Sequence, residues 1–521
     1  MILAVALLVF VTSLALRAPG EVPPFDDLYH LKRMQSFVEL DRDRGEHGAF
    51  VPWPPLYDLL GSLVPHGVVV WLPPIGFSLL AALCAFVLAR RLGWLPGLIL
   101  GLGLALSPYL INVSHRGALD HHWTEPFLIL AILFAAERRN GIALGVAVTV
   151  AMFVQTALLP AAALAFVVFF LKAPREGAIA FAVSAAAVAL YRITRPDGYP
   201  DSAWFLGWPH MWLFAAAAVA CRAFSPPRGE KVPKADEGHP SPGASPHPLP
   251  ARGARVLFPL LLALPALPAM LAGARFFGGD PWLTSIAEFQ PLFHDRQAIG
   301  TDLANLTGGA LLLFLIARRH REAALFGIAY LVLAISSHRF LVPGIPLFIL
   351  GGAIAAARRP WLAAAMTLLP PLCYLIGAPR EQGVQPVAAQ AAQLKELPRG
   401  RVLALWSLGH AIDVLARKPV VIDNFGSMPD EIIFGNACDA LLQTHPDRLL
   451  TYCRARGVRY LVLTAPSGLL ATAAAVGIDP ARYASTPLAR RTMWWRLRAG
   501  EPIAGFRKVA QTRDLEVWQI E

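Results

Sequence analysis

Residues 94–139 read WLPGLILGLGLALSPYLINVSHRGALDHHWTEPFLILAILFAAERR. An apolar run over 94–112 is followed by a short polar segment, a second apolar run over 123–136 and a pair of arginines. A helix needs about 20 apolar residues, or fewer where neighbours shield its ends, to cross a hydrocarbon core of about 30 Å. Two such runs joined by ten residues that hold an aspartate and three histidines predict a helical hairpin in a membrane, with its polar turn outside the bilayer.

Working outward from this hairpin, about 13 apolar stretches of this kind precede residue 380. They run near 1–16, 68–89, 94–112, 123–136, 141–157, 158–171, 178–191, 203–221, 256–277, 303–317, 323–337, 340–357 and 360–377. The run over 141–171 reads either as two short helices broken near Pro160 or as one long kinked helix. The composition agrees with a polytopic membrane protein: of 521 residues, 56% are apolar and 16% charged. The net charge of +11 sits in short clusters between apolar runs rather than on one broad basic face, which speaks against nucleic acid.

With a cytoplasmic N-terminus, the even-numbered spans end inside, at Arg90-Arg91, Arg138-Arg139, Lys172 and Arg175, Arg222 to Arg255, Arg318 to Arg321, and Arg358-Arg359. All six clusters then obey the positive-inside rule. The outer face receives 17–67, 113–122, 192–202, 278–302, the corner at 338–339, and everything after about 378. The first span lacks a basic n-region and reads as an uncleaved anchor rather than a signal peptide. Residues 222–255 are rich in Pro, Gly, Ser and charge and read as a disordered cytoplasmic linker within a transmembrane domain spanning 1–380.

From about 395 to 521 the texture changes. RVLALWSL, KPVVIDN, VRYLVLTAP and LEVWQIE are short β-type runs separated by helical stretches, predicting an exported soluble α/β domain. Cys438 and Cys453 fall in it and form either a disulfide or two buried thiols.

Four polar clusters share the outer face: PPFDDLYHLKRM with Asp26, Asp27 and His30; GALDHHWTEP with Asp120, His121, His122 and Glu125; WLTSIAEFQPLFHD with Glu288; and SSHRFLVP with His338 and Arg339. Taken singly, the acids are helix caps or face water, and an arginine at the end of a span snorkels to headgroups. Their conjunction on one face is what argues for a site. Asp120 and His122, two apart, point the same way in an extended segment. With a carboxylate from the first loop they make a mixed oxygen and nitrogen set that suits Mn2+ and tolerates Mg2+. Such an ion neutralises a phosphate or pyrophosphate leaving group, and an arginine at the membrane surface complements it by binding a lipid-linked phosphate.

FDDLYHLKR, GALDHHWTEP, TSIAEFQP and SHRFLVP resemble, in this order, four motifs of oligosaccharyltransferase catalytic subunits, which are class C glycosyltransferases. The resemblance spans nearly the whole chain. It implies that Asp26, Asp120 and His122 hold the metal, that Asp26 and Glu288 hold the acceptor amide, and that Arg339, beside His338, grips the pyrophosphate of a polyprenyl-linked glycan. Asp27, His121 and Glu125 receive no role from it. The family's WWDYG motif has its best counterpart in LWSLG, Leu405 to Gly409, which keeps Trp406 and Gly409 but has Ser407 in place of the aspartate. Loss of that acceptor removes what would discriminate a hydroxylated residue and puts the usual sequon preference in question.

The implied activity is transfer of an oligosaccharide from a polyprenyl pyrophosphate to a protein or peptide acceptor, through asparagine. The enzyme would be single-subunit and integral to a bacterial or archaeal plasma membrane. Two alternatives stand beside it. One is a class C enzyme that moves a sugar from a polyprenyl monophosphate to protein, lipid or lipopolysaccharide. The other is a transporter or assembly protein, which would place ionisable groups mid-span, where this chain has few.

Overall fold

The computed structural model describes residues 1–35, 42–43, 49–50, 54–195, 199–225, 259–273, 281–293, 299–377 and 387–521, apart from 21, 24, 25, 204, 287, 288, 307, 428, 429 and 485. Glu288 therefore lies outside the described residues, as does the expected linker from 226 onward. Two compact units are present, one formed by 1–127 with 274–521 and the other by 128–273.

In the first unit, helix Leu341–Ala356 is buried along its whole length. Glycines let its neighbours come close: a Cβ at Gly103, on helix Trp94–Leu106, would collide with the Ile349 side chain. Small residues of this kind replace the hydrophobic drive that lipid removes from helix association. Helix Leu72–Leu92 ends at Gly93, whose φ of 99° is open to glycine at little cost, with Arg90 and Arg91 in its last turn. Helix Ile2–Arg17 is tied down by Arg17, which donates to Ser114 Oγ at 2.6 Å and to the carbonyls of Ala105 and Leu104 at 2.9 and 3.1 Å.

In the second unit, helices Gly141–Val154 and Leu159–Lys172 are separate. The break is at Gln155, which is extended with φ −157° and ψ 121°, and Pro160 sits in the first turn of the second helix. There the missing proline N–H has no intrahelical partner to lose, so the proline starts a helix instead of kinking one. Helix Pro174–Ile193 packs on Gly141–Val154 where Gly145 meets the Ala180 backbone.

Among the described residues, five helices are long and apolar enough to cross a membrane: Leu72–Leu92, Pro174–Ile193, Ile299–Ile316, His338–Ala356 and Pro360–Gly377. Ile2–Arg17, Trp94–Leu106, Gly141–Val154, Thr156–Lys172 and Pro259–Leu271 are shorter apolar helices.

Residues 401–520 carry a four-stranded mixed sheet in the order Arg401–Leu403, Val458–Leu463, Glu516–Ile520, Phe506–Gln511. The first pair is parallel and the other two are antiparallel. Val458–Leu463 is central and buried at five of its six positions, as a strand covered on both faces must be. KPVVIDN, read as a β-type run, makes one parallel bridge, Val402 to Val420, and no strand. Its β-branched pair is satisfied by two hydrogen bonds, Val402 N–H to the Pro419 carbonyl at 2.8 Å and Val421 N–H to the Val402 carbonyl at 3.0 Å, before the chain turns away. Cys438 and Cys453 are buried free thiols, so no disulfide joins them.

Candidate active site

The second acidic motif begins where the backbone reaches Asp120, extended at φ −68° and ψ 146°, and then tightens into a 3-10 turn over His121–Thr124. Helix Glu125–Arg138 follows. The Asp120 side chain does not cap this turn. Instead its two oxygens face imidazoles: Oδ1 lies 2.7 Å from His121 Nδ1 and 3.5 Å from His30 Nε2, and Oδ2 lies 3.0 Å from His122 Nε2. Asp120 and His122 are thus brought together, and two further histidines join them.

The first acidic motif forms helix Asp26–Gln35. Its buried Asp27 accepts the Asp120 backbone N–H at 2.9 Å, which fixes the first loop against the second. His30, one turn on, gives Nδ1 to Asp58 Oδ1 at 2.6 Å, while Arg33 Nη1 lies 2.6 Å from the other Asp58 oxygen. All three side chains are buried. Asp26 Oδ1 is 3.7 Å from His410 Nε2, whose Nδ1 is 3.0 Å from Asp423 Oδ2. His410 stacks on Tyr29 at 4.7 Å and meets Phe425 edge-on at 4.8 Å. Lys32 Nζ adds an ion pair to Asp413 Oδ2 at 2.6 Å. The helix of the first loop is therefore gripped on one side by Asp120 and on the other by residues 410–425.

Arg339, in the 3-10 turn His338–Phe340, is buried and reaches the same centre. Its Nη2 donates to Glu125 Oε1 at 2.8 Å and its Nη1 lies 2.9 Å from His122 Nδ1. His338 Nε2 lies 2.8 Å from Asp302 Oδ1, and Asp302 Oδ2 accepts the Phe293 N–H at 3.0 Å. The His338 N–H donates to the Gln290 carbonyl at 2.7 Å. Trp406 sits in a 3-10 turn, edge-on to Trp282 with ring centroids 5.9 Å apart. The glycine after it packs on Asp423, where a Cβ would collide.

The electrostatics follow from burial and proximity. Burial works against ionising Asp120, but His122 and His121 outweigh it and hold the carboxyl well below the usual range. Burial and the neighbouring Asp120 charge push Asp27 up to about 7. Burial lowers the His30 and His122 imidazoles, yet for each the facing carboxylates prevail and raise it to about 10; those are Asp58 and Asp120 for His30, and Asp120 with Glu125 for His122. His121 is lowered, chiefly by burial.

Among the described residues, two groups have possible ligand atoms within 4.8 Å of one another: His30, Asp120 and His121, and His121, His122 and Glu125. Both mix nitrogen and oxygen donors, and that donor set fits a borderline divalent cation. Asp26 belongs to neither group. His30, Asp58, His410, Asp423 and Asp302 have no role in the motif-based reading. Their signal was an ionisable residue in a polar segment between apolar runs or in the β-rich C-terminal segment, which composition alone does not separate from a solvated surface residue.

Neither a family model nor the sequence of a characterised protein matches the chain. Solved structures do. The oligosaccharyltransferase AglB of Archaeoglobus fulgidus, in complex with an inhibitory peptide and a dolichol-phosphate, superposes with a TM-score of 0.74 at 14% identity, over 98% of this chain and 79% of that one. The apo A. fulgidus enzyme gives 0.73 at 15% identity, over 98% and 80%. The same enzyme in complex with Zn and sulfate gives 0.69 at 14%, over 98% and 79%. The chain has the fold of these archaeal oligosaccharyltransferases, a class C glycosyltransferase fold, in a sequence that has diverged far from theirs.

Proposed function

We propose that the protein transfers an oligosaccharide from a polyprenyl pyrophosphate carrier to a protein acceptor, through asparagine, at the outer face of a bacterial or archaeal plasma membrane. The observation that carries this reading is the line of contacts from Arg339 Nη1 to His122 at 2.9 Å and from His122 to Asp120 at 3.0 Å. An arginine that binds a lipid-linked phosphate belongs beside the cation site that neutralises the leaving group. The fold supports it: the A. fulgidus enzyme was solved with a dolichol-phosphate and a peptide, and also tethered to an acceptor peptide containing the NVT sequon.

In this reading Asp120 and His122 hold the cation, with Asp26 or the nearer histidines completing the set. The cation, Mn2+ or Mg2+, supplies charge neutralisation at the departing pyrophosphate. Asp26 and Glu288 orient the acceptor amide for attack on the anomeric carbon, and the His410–Asp423 pair holds Asp26 from behind. Arg339 takes the phosphate oxygens and His338 steadies its turn through Asp302. Trp406 lines the acceptor side, where Ser407 offers a neutral hydroxyl in place of an aspartate. The rest of the architecture in this reading is about 13 spans over 1–380, with catalytic outer loops 17–67, 113–122 and 278–302. A cytoplasmic N-terminus, an exported domain over 395–521 and a single subunit complete it.

The test uses purified protein with a lipid-linked oligosaccharide, Mn2+, and peptides with and without Asn-x-Ser/Thr, read by mass spectrometry. The expected result is a glycan-sized mass gain on an asparagine peptide, abolished by Asp120→Asn. Consumption of a polyprenyl monophosphate sugar with no peptide modified would replace this reading with the single-sugar alternative.

A further inference from the structure

Glu125 received no role from the motifs, yet it is 1% exposed and stands between the two halves of the site. We infer that Glu125 is a positioning residue that couples the cation site to the donor phosphate, by orienting His122 and anchoring Arg339 with one carboxylate. This rests on the reading of the site given above.

Glu125 opens helix Glu125–Arg138, where the helix N-terminus favours its negative charge. Its Oε1 lies 2.8 Å from His122 Nδ1, 2.8 Å from Arg339 Nη2 and 3.6 Å from His121 Nε2. On the opposite edge of the ring, His122 Nε2 is 3.0 Å from Asp120 Oδ2. Arg339, Glu125, His122 and Asp120 thus form one continuous line. A histidine that presents Nε2 to a cation must carry its proton on Nδ1. A carboxylate accepting that proton fixes the tautomer and ring angle and makes the imidazole a stronger ligand.

Here the accepting carboxylate is shared. Arg339 draws on the same oxygen and also places Nη1 2.9 Å from His122 Nδ1; since arginine can only donate, that imidazole nitrogen either accepts from Arg339 or donates to Glu125, and the two compete for it. A donor phosphate that takes over hydrogen bonds from Arg339 leaves more of the Glu125 charge for His122, and the cation is then held more firmly. By linkage the cation must favour the phosphate by the same factor. If Glu125 only neutralised a buried arginine, the cation would be indifferent both to its charge and to the phosphate.

The experiment titrates Mn2+ into the full chain in detergent, with and without a polyprenyl phosphate in the micelles, for the parent, Glu125→Gln and Asp120→Asn. The parent is expected to bind Mn2+ about fivefold or more tightly when the phosphate is present. Glu125→Gln is expected to bind Mn2+ about tenfold more weakly and to lose the phosphate effect. Glu125→Asp should recover part of both, and the loss in transfer assays should fall on donor KM as well as on kcat. Should Glu125→Gln fail to fold, Glu125→Gln/Arg339→Gln removes both buried charges and takes the same titration with the same expected tenfold loss. Parental Mn2+ affinity in the variant that folds, or a phosphate effect that survives in it, overturns this role while leaving the site reading intact. Equal Mn2+ binding by the parent and Asp120→Asn overturns the site reading itself.

Discussion

Asp27 Oδ1 accepts the backbone N–H of Asp120 at 2.9 Å, so a carboxylate of the first loop fixes the residue at the centre of the second. Burial and the nearby Asp120 charge push Asp27 up to about 7, whereas an unfolded aspartate titrates near 4. The sign follows. Between those values the folded protein binds the extra proton, so this group's contribution is full at acid pH and is lost as pH rises through about 7.

Asp27→Asn keeps an acceptor oxygen and removes the charge. In the metal-free protein at pH 8 it should raise the melting temperature by on the order of 2–4 °C, and the gain should shrink at pH 5, close to the value of an unfolded aspartate. Differential scanning fluorimetry at the two pH values checks this. A melting temperature lowered at pH 8 would mean that the Asp27 charge itself is needed by the fold.

Asp58 holds two buried cationic groups, Arg33 at 2.6 Å and His30 at 2.6 Å. Burial opposes its ionisation, but Arg33 and His30 together depress it, so its contribution is present above the ordinary aspartate range and fades as pH falls below it. His30, raised to about 10, contributes fully below its ordinary value and loses that contribution as pH rises through about 10. Asp58→Asn removes the buried charge that faces both cations and should cost about 3 kcal/mol or more. Chemical denaturation in detergent at pH 7 measures it.

Cation binding must displace protons. His122 is raised to about 10 by Asp120 and Glu125 against the effect of burial, so in the metal-free protein it is protonated at neutral pH. The apparent affinity for Mn2+ should therefore rise with pH from 6 to 9, by up to about tenfold per unit for each proton released. Isothermal titration in buffers of different ionisation enthalpy counts the protons, and a pH-independent affinity would remove His122 from the ligand set.

Gly409 lies against Asp423, and a Cβ there would meet the Asp423 Cα and Cβ and stand 2.7 Å from the Ile422 carbonyl oxygen. Because Asp423 orients His410, Gly409→Ala should both destabilise the protein by about 1–3 kcal/mol and disturb the groups around Asp26. Transfer activity should fall further than the loss of folded protein explains, a comparison made by normalising rates to the native fraction.

Cys438 and Cys453 are buried thiols, each pushed up to about 12, mainly by burial. Maleimide should label neither at pH 7 until the protein is denatured, when both react, and reductant should leave the melting temperature unchanged. Peptide mapping of the alkylated protein reports each cysteine separately.

The sequence by itself determined the membrane class, the apolar stretches that become helices and the place of the β-rich C-terminal segment. These rest on local periodicity and on the cost of putting polar backbone and charge into hydrocarbon. It also singled out Asp120, His122 and Arg339, since the polar clusters stand out in so apolar a chain and their order resembles the motifs of oligosaccharyltransferase catalytic subunits. It left Pro160 ambiguous, because a proline breaks or begins a helix according to where the preceding residue turns, and Gln155 settles that.

Only the tertiary structure decided which ionisable groups share a centre. Glu125 and Asp27 were visible as neighbours of motif residues, but their partners Arg339 and Asp120 are 214 and 93 positions away. His410 meets Asp26 across an even longer stretch of chain. Such pairs are selected by packing of loops from different helices, and no local pattern records which buried charge will be compensated by which other.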